Sequence, residues 1–183
     1  MGSLEERINA ASDFTVKERL DLPGPSYDLY LGEEKVASAD RKMRMWGIGF
    51  SLGLQSGASW GRVRQVVSAL GFSAVVYDGE FEQVASIKQN VVKEALRNPL
   101  KPKSHLEIQL DSRTLTADLH SQGPLHLDIY EGSRLVGAID QRDRLGFHTY
   151  AVHNAGSDAR TLFSLTAMLD LLYHHWEEGR SRW

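Results

Sequence analysis

The chain has 183 residues, 42% of them hydrophobic, and 21 Lys and Arg against 24 Asp and Glu give a formal net charge of −3. That length fits one domain with a single core, residues 1–183, and the slightly acidic balance argues against nucleic acid as a partner of the chain as a whole. With no cysteine present, disulfide scaffolds, cysteine-ligated metal sites and thiol nucleophiles are excluded, and a reducing, cytoplasmic setting is favoured.

The N-terminal residues 1–12 are acidic and polar, lack the apolar run of a signal peptide, and are expected to form a flexible arm. After them the chain reads at period two, with turn-forming Gly, Pro, Asn and Asp about every ten residues, which is an all-β rhythm. Ten strands are expected at residues 14–18, 27–31, 35–40, 72–77, 83–89, 105–110, 114–120, 125–130, 134–140 and 147–153. Residues 43–54, 62–70 and 91–97 are ambiguous, the last two reading equally well as short helices. Residues 44–70 stand out as a Gly-rich insertion. Its apolar residues, Trp46, Phe50 and Trp60 above all, suggest a surface flap, although glycines alternating through 46–54 also suit a strand pressed against another backbone.

One segment echoes another. YDLYLGEEKVASAD (27–40) aligns without gaps on LDIYEGSRLVGAID (127–140), with five of the 14 positions identical. Both read as strand, turn, strand, with Gly32 and Gly132 supplying the positive φ of a tight hairpin. The same outline recurs at 75–88, around Asp78-Gly79, and at 105–119, around Asp111-Ser112.

The pattern changes from Asp158 onward. Residues 158–177 are good helix formers without Gly or Pro, and Ser157 or Asp158 suits the N-cap. Their apolar side chains cover nearly the whole circumference, so protein must surround the helix. A barrel wrapped around it is the simplest arrangement. The longest nearly apolar run, 162–173, is 12 residues long and includes Asp170, whereas a membrane-spanning helix needs about 20.

Three pieces, YDLYLGEEKVASADRK, YDGEFEQVASIKQN and LDIYEGSRLVGAIDQRD continuing into FHTYAVHNAGSDARTLFSLTAMLDLLYHH, resemble the tubby-like fold, and specifically its LURP-one-related and phospholipid-scramblase-like branch. The closing segment carries the match best, through Tyr150, Val152, Asp158 and Asp170. The resemblance implies a closed antiparallel barrel of about 12 strands enclosing a hydrophobic C-terminal helix. It also implies a non-catalytic module that docks on anionic phospholipid, such as phosphoinositide head groups, through basic residues outside the barrel, peripheral at a membrane. Arg41, Lys42 and Arg44, with Arg142 and Arg144 at the matching place of the echo, are the positions it points to. Scrambling is not implied, because the palmitoylated cysteines of scramblases have no counterpart and no acidic loop has EF-hand spacing. The alternative is a protein–protein interaction or regulatory domain, or a homodimer built on the flap.

Other chemistry finds little footing. Residues 47–53 lack the Gly-Lys-Ser/Thr of a phosphate loop and no βαβ unit surrounds them. Gly49-Phe50-Ser51-Leu52-Gly53 has the Gly-x-Ser-x-Gly spacing but not the strand-to-helix setting of a nucleophile elbow, and no HExxH or distinctive carboxylate pair is present, so no catalytic residue, cofactor or metal ligand is assigned. Asp170 and His174, four residues apart on one helical face, have ligand-compatible spacing but no identifiable third ligand; otherwise His174 and His175 read as a helix end, where imidazoles favour the dipole, and Asp170 as buried, hydrogen-bonded to barrel backbone, or near a barrel mouth. Lys93, Arg97, Lys101 and Lys103 form a second loose basic cluster.

Overall fold

The computed structural model describes residues 2–22, 24–43, 48–66, 72–89, 104–120, 124–143 and 147–172. A helix, α1 (Leu4–Ala10), is followed by twelve strands: β1 (Asp13–Asp21), β2 (Gly24–Leu31), β3 (Glu34–Met43), β4 (Ile48–Leu54), β5 (Ser59–Gln65), β6 (Ser73–Asp78), β7 (Gln83–Gln89), β8 (Ser104–Leu110), β9 (Arg113–His120), β10 (His126–Glu131), β11 (Arg134–Gln141) and β12 (Thr149–Asn154). A last helix, α2 (Ala159–Asp170), closes the series. Each strand pairs antiparallel with its sequence neighbour, and β1 pairs with β12, so the sheet closes into a barrel. Closure leaves no edge strand to be protected.

The echo is structural as well as sequential. In β2–β3 and in β10–β11 the register shifts at the same step, between Leu29 and Tyr30 and between Ile129 and Tyr130. Gly32 and Gly132 both take the left-handed conformation, at φ 60° and 61°, which a side chain would strain. The β6–β7 turn departs from expectation, because its positive φ falls on Phe81 and not on Gly79.

Two regions correct the sequence reading. Within the segment expected as a Gly-rich insertion (44–70), the described residues 48–66 do not form a surface flap around Phe50 and Trp60: β4 and β5 are consecutive staves of the barrel, and both side chains are buried. Glycine dilutes the period-two signal there for a steric reason, since a Cβ on Gly49 would lie 2.8 Å from the Val63 carbonyl oxygen. Trp46 lies outside the described residues. The N-terminal arm is also ordered as α1. A Ser3–Glu6 capping box starts it, Ile8 is buried, and Glu5 and Arg7 reach Arg160 and Glu34.

Every residue of α2 is buried, polar ones included. Asp158 caps its first turn by accepting from the Thr161 backbone N–H at 2.7 Å, and the helix packs against α1, β2, β5, β11 and β12. Near its start Phe163 stacks on Trp60, with ring centroids 6.1 Å apart. At its end sits Asp170, with no exposed surface. Residues 173–177 of the expected helix lie outside the described residues.

Candidate functional site

Strand alternation sorts the connections onto two ends. One end carries α1, the start of α2 and the short turns that follow the even-numbered strands. The other carries the connections that follow the odd-numbered strands, the longest of them between β7 and β8, together with the C-terminal end of α2.

At this second end the inward-facing residues turn from apolar to polar. Phe14, Val16 and Glu18 point inward from β1, and Glu18 is buried although it is a carboxylate. Its neighbour across the seam is His148, whose backbone N–H donates to Glu18 Oε2 at 2.9 Å and whose Nδ1 lies 3.3 Å from the same oxygen. His148 Nδ1 is also 2.7 Å from Asp170 Oδ1. Two phenols complete the network: the Tyr27 hydroxyl donates to Asp170 Oδ2 at 2.7 Å, and the Tyr150 hydroxyl donates to Oδ1. Burial, together with the Asp170 carboxylate, pushes both phenols well above the ordinary tyrosine range. They therefore stay protonated and act as donors. The group joins β1, β2, β12 and α2 through charge-assisted hydrogen bonds, the stronger class.

The basic residues singled out from the sequence lie at this same end. Arg41 and Lys42 close β3, and Arg142 directly follows β11. Arg41 is close to Gly24, where an added Cβ would fall 2.1 Å from a guanidinium nitrogen. Arg142 borders an open outer groove of about 350 Å³ with Asp13, Thr15, Asp140 and His153. None of the three forms a salt bridge among the described residues. Three acids of β1–β3 are engaged by other cations, Asp40 and Asp21 by Arg19 at 2.8 and 3.4 Å and Asp28 by Lys35 at 2.8 Å, whereas Asp143 stands exposed beside Arg142. Arg44 and Arg144, like Lys93, Arg97, Lys101, Lys103, His174 and His175, lie outside the described residues.

Apolar side chains project from the same end. Leu20 is 72% exposed, Leu22 95%, Phe147 58% and Val66 43%, which makes four of the six large exposed hydrophobic residues among those described. Leu20 and Leu22 come from the β1–β2 hairpin, Phe147 from the adjoining approach to β12, and Val66 from the end of β5.

Sequence reasoning singled out Asp170 and Tyr150 but missed Glu18, Tyr27 and His148. The signal was present. Glu18 and His148 occupy inward positions of otherwise apolar alternations, Phe14-x-Val16-x-Glu18 and His148-x-Tyr150-x-Val152, where a charge needs an internal partner.

No family model matches the chain, and no curated protein matches it. No helix among the described residues is long and apolar enough to cross a membrane.

Proposed function

We propose that this protein is a non-catalytic module of the tubby-like kind that docks reversibly on anionic phospholipid surfaces with the loop-bearing end of its barrel. In this reading α2 fills the lumen. A closed ring of twelve strands and a helix buried along its whole length and touching strands β2, β5, β11 and β12 support that placement. A filled barrel leaves no interior space for a small ligand, so recognition falls to the ends and the outer wall.

The observation that carries the proposal is a coincidence of place. Arg41, Lys42 and Arg142 stand at the same end as the exposed Leu20, Leu22, Val66 and Phe147. Cations attract an anionic surface from a distance, and protruding apolar side chains add contact with the acyl boundary. The flap-mediated homodimer loses its support, because Phe50 and Trp60 are core residues.

Flotation with phosphoinositide-containing vesicles tests the reading. The protein floats with them at low salt and is released as ionic strength rises. Each basic residue near such a surface contributes about 1 kcal/mol, so Ala at Arg41, Lys42 and Arg142 together lowers partitioning about 100-fold. Equal flotation with neutral vesicles would discard the proposal.

A further inference from the structure

We propose that Glu18, His148 and Asp170 form a binding site for a single divalent cation of the zinc class, set beneath the loop-bearing end. This inference does not rest on the lipid-docking reading. The three residues come from separate parts of the chain, and the fold brings one ligand atom from each to within 4.8 Å of the others.

The spacing suits a shared ion. Zinc–nitrogen and zinc–oxygen bonds of about 2.0–2.2 Å put neighbouring ligand atoms of a tetrahedral shell about 3.3 Å apart. His148 Nδ1 stands 3.3 Å from Glu18 Oε2 and 2.7 Å from Asp170 Oδ1, so the second pair would open by about 0.6 Å to reach that spacing. The donor set is also selective. One imidazole nitrogen with two carboxylates favours zinc or its transition-metal neighbours over calcium and magnesium, which prefer oxygen alone.

The surroundings are those of a ligating carboxylate. Asp170 is fully buried and is oriented by the Tyr27 and Tyr150 hydroxyls, the kind of outer hydrogen bonding that fixes ligand geometry around metals. Three protein ligands leave a fourth position for water or another donor. The histidine pairs on the outer wall differ in kind. His126 uses Nδ1 for Asp140 and Nε2 for Asp128, so its two carboxylates lie on opposite sides of the ring and do not converge. Among the described residues no other group of three donors comes together in this way.

The test is titration of chelator-treated full-length protein with zinc chloride, followed by calorimetry and by nuclear magnetic resonance of the histidine rings. The expected result is a first equivalent bound with micromolar or tighter affinity, accompanied by a shift of the His148 ring signals and a rise in melting temperature. His148→Ala should weaken that first equivalent at least 100-fold, while His153→Ala leaves it unchanged. His148 signals unmoved after one equivalent of zinc would overturn the proposal without recourse to any variant. An unchanged first binding event in a folded His148→Ala protein would overturn it as well.

Discussion

The two ends of the barrel are built on opposite principles. The turn end is sealed: α1 lies there with Ile8 buried, Phe163 stacks on Trp60, and Arg160 reaches Glu5. The loop end holds a buried polar network below, and above it the exposed Lys42 and Arg142, the half-buried Arg41 and exposed hydrophobic residues. The contrast teaches a division of labour, in which one end packs around the start of α2 and the other carries the surface to which the proposed docking is assigned. A closed sheet allows this, because neither end has to protect unpaired strand edges.

Substitutions at the two ends should separate these roles. The largest effect is expected at the sealed end, where Phe163→Ala leaves a hole against Trp60 and costs about 3–5 kcal/mol, read as a lower midpoint in chemical denaturation. Vesicle flotation of the surviving folded fraction should be unaltered. At the loop end Tyr150→Phe removes one donor from a buried carboxylate, a loss of about 1.5–3 kcal/mol. If Tyr150→Phe proved as costly as Phe163→Ala, the polar network would be a structural equal of the apolar seal and the contrast would fail.

The smallest effect belongs to the outer wall. Partial burial lowers the His126 pKa, but hydrogen bonds and charge from Asp140 and Asp128 outweigh it, so the net shift is upward. The unfolded reference is about 6.5. With the folded value raised, the contribution of His126 to stability is fully present below that pH and is lost as pH rises through the folded value. Its imidazole should titrate above the ordinary histidine midpoint, and Asp140→Asn should bring it back down. The exposure of the pair keeps the energetic consequence slight.

Much of this organisation can be read in the residues. Alternation and turn chemistry marked ten of the strands, and Gly32 and Gly132 announced their hairpins, because period-two burial and positive φ are local properties. β4 and β5 were harder, since glycines chosen for close backbone approach, such as Gly49, remove the side chains that make alternation visible. The start of α1 was written in its Ser3-x-x-Glu6 box but is short enough to pass for an arm. The polar network was least legible. Glu18 and Tyr27 lie far in sequence from His148 and Asp170, and only the closed register brings the two pairs together, although a charge at an inward position of a strand was a usable warning.

The seam between β1 and β12 joins strands from opposite parts of the chain. Val16 lies opposite Tyr150 and Asp13 opposite His153, so the first strand made waits on the last for one of its two partners. Until then the growing sheet has two raw edges and α2 has no finished surroundings. Such long-range closure makes for slow folding with aggregation-prone intermediates, and it makes the pairing of β12 with β1 the step that completes the ring.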